Sequence, residues 1–250
     1  MTDWPYPFWI AHRGAGKLAP ENTLAAFRVG AGHGYRAFEC DVKLSADGVP
    51  FLLHDASLQR TTAERGVAGE RPWSVLSRID AGGWHGRTYA GEMIPSLEGI
   101  AAFCLRNDFA LDIEIKPTPG AEAATGRVVA DAATRLWADA AIKPLLTSFS
   151  PDALAAAHAS QPAVPRGLLL DAWRSGWLEE AQGLACAAVV TNYTMLDRQR
   201  IEHIHDIGMR VLAYTVNDPA TARWLVACGI DGIVTDAVDR FSPASRDTLG

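Results

Sequence analysis

Cysteine is scarce in this chain. The four residues Cys40, Cys104, Cys186 and Cys228 lie far apart and include no C-x-x-C pair. That spacing favours four buried free thiols in a reducing cytoplasm over the alternatives of a disulfide or a zinc site. Positive charge is also short, with 23 Lys and Arg against 29 Asp and Glu, a net charge of −6. A nucleic-acid binder would show a basic patch or stripe, and that class is set aside. The same deficit, with no basic amphipathic helix, argues against a membrane-surface protein. Long apolar runs are missing too: no segment approaches the ~18 consecutive apolar residues of a membrane span. The opening MTDWPYPFWIAHRG lacks the basic and apolar regions of a signal peptide, so a cytoplasmic location is expected.

What is present is a repeating pattern of short apolar runs and helical stretches. Candidate strands are Phe8–His12, Ala37–Val42, Leu111–Ile115, Leu145–Phe149, Gly167–Leu170, Ala187–Thr191, Val211–Thr215 and Gly232–Thr235. They are rich in Val, Ile, Leu and Phe without clean alternation, as strands buried on both faces should be. Helices are expected from Thr23 to His33, through EAATGRVVADAATRLWAD, after Ser150-Pro151, and from Asn217-Asp218-Pro219 to Gly229. Ser and Asp before Pro are natural helix starts, and Gly is a natural stop. Eight strand–helix units imply an α/β fold closed as a TIM (β/α)8-type barrel, one domain spanning residues 1–250.

Two stretches break the rhythm. Val49–His54 reads as a strand, but only Ser45-Ala46-Asp47-Gly48 separates it from the second strand. A parallel neighbour needs a crossover of about a dozen residues or more. An Asp-Gly turn instead makes a β-hairpin arm on strand two. The second break, Ala56–Asn107, is long, dense in Gly and Arg, and holds Trp73 and Trp84. It reads as an insertion near the barrel mouth, where long loops are usually functional.

The chemistry-bearing residues fall at strand ends. In Glu39-Cys40-Asp41 the two carboxylates share one strand face, about 7 Å apart by the rise per residue. Cys40 points the other way, toward the helices. TIM barrels place their active sites at this C-terminal end. Two inward acids repel each other unless a cation lies between them; solvated strand-end acids are the alternative. LDIEIKP on the third strand adds Glu114, with Asp112 and Lys116 on the same face. Three oxygen ligands suit a hard cation, Mg²⁺, Ca²⁺ or Mn²⁺. His12 ends the first strand and His54 ends the arm, beside these carboxylates. Imidazole titrates near working pH, so two histidines converging on such a cluster suit general acid–base catalysis. Arg13 can bind phosphate or pair with a neighbouring acid. Lys116 supplies positive charge at the mouth or balances the acids.

The strings AHRGAGKLAPENTLAAF, FECDVKLSADGVPFLLHDASLQRTT and LDIEIKP, followed by SFSPDAL, AYTVND and GIDGIVTD, resemble the successive signatures of the glycerophosphodiester phosphodiesterase family. The resemblance runs from about residue 8 to residue 236, nearly the whole chain. It implies a TIM-like barrel, one divalent metal ion and hydrolysis of a glycerophosphodiester to sn-glycerol 3-phosphate and an alcohol such as choline or ethanolamine. It implies His12 and His54 as the catalytic pair, Glu39, Asp41 and Glu114 as metal ligands, Arg13 as phosphate ligand and Lys116 in the family's EIK string. Departures are Phe38 for a small aliphatic residue, Tyr214 for Trp, and Ala237-Val238 where a Pro often follows. Phe149, Tyr193, Tyr214 and the insertion are expected to form the substrate wall. A related lysophospholipase D or phospholipase C-like activity on a lipid, and a non-catalytic phosphodiester-binding barrel, are the alternatives. A homo-oligomer is compatible with the sequence.

Two other motifs carry less. Gly14-x-Gly16-x-x-Ala19 follows strand one as a dinucleotide fingerprint would, but Pro20 delays the helix to Glu21-Asn22-Thr23, too late for the glycine turn to lead into it. His203-x-His205 lies on a helical string, where i and i+2 diverge, so surface histidines are expected.

Overall fold

The computed structural model describes residues 4–244. Its strands are β1 (Trp9–Ala11), β2 (Ala37–Leu44), β3 (Pro50–Leu52), β4 (Ala110–Ile115), β5 (Leu145–Ser148), β6 (Arg166–Leu170), β7 (Ala188–Asn192), β8 (Arg210–Tyr214) and β9 (Gly232–Thr235). Its helices are α1 (Leu24–Gly32), α2 (Trp73–Leu76), α3 (Leu97–Arg106), α4 (Glu122–Leu136), α5 (Pro151–Ser160), α6 (Trp177–Gly183), α7 (Arg198–Asp206) and α8 (Pro219–Cys228). β1 pairs in parallel with both β9 and β2, which closes an eight-stranded parallel barrel around which the helices pack. Among the described strands β3 pairs antiparallel with β2 and with no other, so it is the arm that the Asp-Gly turn implies; Phe51 also bridges to Ser96. No helix among the described residues is long and apolar enough to cross a membrane. All four cysteines are free and buried.

Alternation along β2 sorts its side chains into two layers. Phe38, Cys40 and Val42 face outward into the core shared with the helices. Ala37 belongs to the inner layer with Ile10, Ala110, Leu145, Val190, Leu212 and Val234, which fills the barrel. Phe38 stacks on Phe27, with ring centroids 5.1 Å apart. A methyl on Gly30 would lie only 2.9 Å from the Phe38 ring. The missing side chain at Gly30 lets α1 approach the Gly14 carbonyl, 2.1 Å from where a Cβ would stand, and also leaves room for the Phe38 ring.

Helix starts follow their caps. The side chains of Thr23, Ser96, Ser150, Asp197 and Asp218 accept from the backbone amide three residues on, satisfying one orphan donor each. Pro151 and Pro219 occupy the first helical turn, where no N–H is missed.

The stretch 56–107 is not all insertion. Its last residues, Leu97–Arg106, form α3, the crossover helix that returns the chain to β4. The remainder packs Leu58, Leu76, Ile79 and Ile94 with Phe51 and Leu53 of the arm into a small core. It docks on the β1–α1 loop, where Tyr89 Oη donates to the Leu18 carbonyl at 3.3 Å, and on the first turn of α1, where Glu92 accepts from Ala25 N–H at 3.1 Å.

Candidate active site

Strand register brings the acids together. Glu39 lies beside Asp112 and Asp41 beside Glu114 across the β2–β4 pair. All four carboxylates thus share the inner face at the C-terminal ends of neighbouring strands. One oxygen each from Glu39, Asp41 and Glu114 lies within 4.8 Å of the others. Burial, then the neighbouring charges of Asp41 and Glu114, pushes Glu39 well above the usual carboxylate range. Burial and the Asp41 charge raise Glu114 to about 7. Burial raises Asp112 to about 7 even though Thr147 Oγ1 donates to it at 2.8 Å. Asp41 goes the other way. Burial works against its charge, but Lys116, Arg13, His54 and the Asn22 amide together hold its carboxyl far below the ordinary range.

The cations are interleaved with these acids. Lys116 Nζ lies 2.9 Å from Glu114 Oε1 and 3.2 Å from Asp41 Oδ1. Arg13 sits in the left-handed region at φ 51°, a conformation that costs a side-chain-bearing residue about 1–2 kcal/mol. It aims the Arg13 backbone N–H at Glu39 Oε2, 3.0 Å away. The Arg13 guanidinium donates to Glu21 Oε1 at 2.9 Å and lies 3.3 Å from Asp41 Oδ2 without hydrogen-bond alignment. Asn22, also left-handed at φ 59°, clamps Asp41 reciprocally. Its amide donates to Oδ2 at 2.8 Å, and its carbonyl accepts from Asp41 N–H at 3.1 Å.

The acid cluster fits a divalent ion. Glu39 Oε1 is buried without a hydrogen-bond partner, and native proteins rarely leave such an atom orphaned; Asp41 Oδ1, also buried, faces the Lys116 ammonium at 3.2 Å without hydrogen-bond alignment. An all-oxygen set of three carboxylates is the donor chemistry of hard cations.

Each histidine is backed by its own carboxylate. His12 stands just past β1, with Nδ1 2.6 Å from Asp236 Oδ1 and Nε2 3.8 Å from Glu39 Oε2. His54 stands just past β3, with Nδ1 2.6 Å from Asp55 Oδ1. A carboxylate at Nδ1 holds the ring's proton there and leaves Nε2 free to exchange one. Burial lowers the His54 pKa, outweighing the attraction of Asp41. The Leu53 N–H bonds to the Asp41 carbonyl at 3.1 Å, which carries the arm, and His54 with it, to the acid cluster.

These groups line a cavity of about 230 Å³ with an apolar far wall that includes Phe149, Leu169, Val190, Tyr214 and Val234. Phe149 and Tyr214 meet edge to face at 5.9 Å, and the Tyr214 hydroxyl donates to the Leu170 carbonyl at 3.0 Å. His12, Arg13, Glu39, His54, Glu114, Lys116, Phe149 and Tyr214 all line this space, and Asp41 is joined to it through Arg13 and Lys116. Tyr193 and residues 56–96 do not line it. Tyr193 begins a short turn packed on the outer core. The motif reading missed Asp55, Asp236, Glu21, Asn22, Arg60 and Asn217. Asp55 adjoins His54, and Asp236 is itself an acid at the end of a strand, so both left a trace in the sequence.

The two lesser motifs have structural explanations. Gly14 and Gly16 have φ of +99° and +56°, and a Cβ on Gly16 would lie 2.2 Å from Asp236 Cα. Gly16 lets the β1–α1 loop pack against Asp236, and Gly14 lets it pack against α1, where a Cβ would lie 2.8 Å from that of Ala26. His205 pairs with Asp231 at 2.7 Å, while His203 is exposed on α7.

The eight-stranded parallel barrel is a TIM barrel, and it gathers these carboxylates, histidines and cations at the C-terminal ends of its strands. The chain belongs to the glycerophosphoryl diester phosphodiesterase family, whose sequence model matches residues 12–240. It is similar to the Bacillus subtilis protein YhdW, with 32% identity over 92% of this chain and 94% of the relative. It is also similar to a glycerophosphodiester phosphodiesterase of Caldanaerobacter subterraneus, with 28% identity over 91% of this chain and 93% of that one. Among solved structures, an Oleispira antarctica phosphodiesterase in complex with the product sn-glycerol-3-phosphate superposes with a TM-score of 0.86. It shares 34% identity over 93% of this chain and 94% of its own.

Proposed function

We propose that this chain hydrolyses small glycerophosphodiesters, such as glycerophosphocholine and glycerophosphoethanolamine, to sn-glycerol 3-phosphate and the free alcohol. The observation that carries this reading is the pairing of two carboxylate-backed histidines with a three-carboxylate cluster in one cavity. The product bound in the Oleispira antarctica structure supports the same substrate class. Pockets for drug-sized ligands run from about 300 Å³ upward. The cavity here, about 230 Å³, suits the glycerol phosphate half and favours a small head group over an acyl-bearing lipid.

In this mechanism Glu39, Asp41 and Glu114 hold one divalent ion, Mg²⁺, Ca²⁺ or Mn²⁺. When bound, such an ion supplies charge that offsets the phosphoryl oxygens. Arg13 and Lys116 add fixed positive charge in a site largely shielded from water. This explains how a chain of net charge −6 accommodates an anionic substrate. His12 takes the proton of the nucleophile, and His54 gives a proton to the leaving alcohol oxygen. Asp236 and Asp55 keep both rings turned with Nε2 toward the cavity. Phe149 and Tyr214 form the apolar wall against which the glycerol carbons lie. The nucleophile is water or the glycerol 2-hydroxyl, and ³¹P NMR of early time points separates them, because only the second route passes through a cyclic phosphate. The four free buried thiols support a cytoplasmic setting for the reaction.

A panel of glycerophosphodiesters with different alcohols, assayed for sn-glycerol 3-phosphate, tests the reading. Release of sn-glycerol 3-phosphate that His12→Ala and His54→Ala both abolish is expected. No release from any member, or near-normal turnover in both variants, would overturn it.

A further inference from the structure

The two histidines stand on different pieces of chain, and one side chain outside the cavity joins those pieces. Arg60 follows the arm, in LQRTT, and does not line the cavity. Its guanidinium makes four hydrogen bonds to two carboxylates. Nε and Nη2 donate to Asp55 at 2.7 and 3.0 Å. Nη1 and Nη2 donate to Glu21 at 2.7 and 2.7 Å. Asp55 is the carboxylate that holds His54 Nδ1. Glu21 lies on the β1–α1 loop and also accepts from the Arg13 guanidinium. One continuous chain therefore runs His54–Asp55–Arg60–Glu21–Arg13, and the Arg13 N–H continues it to Glu39.

We infer that Arg60 is a positioning residue that clasps the His54 arm to the β1–α1 loop and so fixes His54 relative to Arg13 and His12. This inference rests on the proposed acid–base roles of the histidines. Only a planar fork with five donors serves two carboxylates bidentately. A lysine at this position keeps the charge and loses the geometry. Exposed ion pairs contribute little to stability, and the Arg60 side chain is 42% exposed. The clasp therefore acts on catalysis far more than on folding. Small misplacements of a reacting group cost as much as about 10²-fold in rate.

Four measurements on the full chain with its metal test the clasp. Arg60→Ala is expected to lower kcat by about tenfold to a hundredfold with a melting midpoint within about 4 °C of the parent. Arg60→Lys is expected to recover little of that loss, whereas methylguanidinium restores the Ala variant's kcat and an equal concentration of sodium chloride does not. Asp55→Asn combined with Arg60→Ala is expected to cost no more than the larger single change. Four results would overturn the inference: kcat near the parent value in Arg60→Ala; a pure rise in KM that Lys repairs, which would make Arg60 a substrate contact; activity loss that merely tracks unfolding; or additive losses with Asp55→Asn. Parent activity and the His54→Ala loss are recorded beside these, so a failure of the clasp is distinguishable from a failure of the acid–base reading.

Discussion

The His12 mount and the His54 mount do the same job with different physics. Behind His12, Asp236 follows β9, and β9 pairs with β1 through Ala11 and Thr235. The Asn217 carbonyl accepts from Asp236 N–H at 2.8 Å, and its amide donates to Asp236 Oδ2 at 3.1 Å. The turn of Gly16 packs directly on Asp236. Barrel strands and neutral hydrogen bonds thus fix this carboxylate. Behind His54, Asp55 follows a three-residue strand, and its charge is held far below the ordinary range chiefly by Arg60. Ion pairs at the surface fix that carboxylate. The difference teaches that a closed barrel fixes one half of its active site by topology, whereas an arm outside the barrel needs its own electrostatic fastening.

The largest expected effects strike both mounts equally. His12→Ala and His54→Ala are each expected to lower kcat by on the order of 10²–10⁴ in steady-state hydrolysis of glycerophosphocholine. A large loss in one and none in the other would break the symmetry of role on which the comparison rests. Next, Asp236→Asn and Asp55→Asn are each expected to lower kcat by about 10- to 10²-fold. Asp236→Asn should add independently to Arg60→Ala, whereas Asp55→Asn should not. A double-mutant cycle on each pair reads this directly. Salt then separates the mounts more gently. At about 1 M salt the screening length falls to ~3 Å, so kcat of the parent is expected to drop toward that of Arg60→Ala, which itself changes little. Equal salt sensitivity in the two proteins would remove the distinction between mounts.

The smallest effect concerns the barrel floor beneath both. Asp112 and Glu114 are raised to about 7 in the folded chain, while unfolded carboxyls titrate near about 4. Between those values the native state binds more protons than the unfolded state, so stability falls as pH rises. The melting midpoint of metal-free protein is expected to decline from about pH 4.5 to 7 and level off above. Asp112→Asn is expected to flatten the slope. A midpoint that climbs across that window would contradict the burial argument.

Much of this fold can be read from the chain because its strands are buried on both faces. Runs such as LDIEI and GIVT, punctuated by Ser-Pro and Asp-Pro caps, leave few other arrangements. The arm was legible because a four-residue link with an Asp-Gly turn forbids a parallel crossover. α3 was not, since it is embedded in a Gly- and Arg-dense segment that masks the cap at Ser96. α6 is only seven residues long, too short for a periodic signal. The clustering of Glu39, Asp41 and Glu114 was legible because alternation along β2 and β4 sets their direction, and His12 and His54 because each ends a candidate strand. The backing groups were not. His12 and Asp236 are 224 residues apart, and their meeting depends on barrel closure between β9 and β1. The Arg60 fork depends on two loops that no periodicity places. Tyr193, expected in the substrate wall with Phe149 and Tyr214, instead begins a short turn and packs on the outer core, a placement no local pattern in the sequence marks.

On the proposed reading, the orphaned Glu39 Oε1, with Asp41 and Glu114, holds an ion that hydrolysis of a glycerophosphodiester requires. The direct measurement is release of sn-glycerol 3-phosphate from glycerophosphocholine by thoroughly chelated protein, before and after adding back Mg²⁺, Ca²⁺ or Mn²⁺ singly. Loss of activity on chelation and recovery with at least one of the three, absent in Glu114→Gln, is the predicted result. Undiminished turnover after chelation would contradict it.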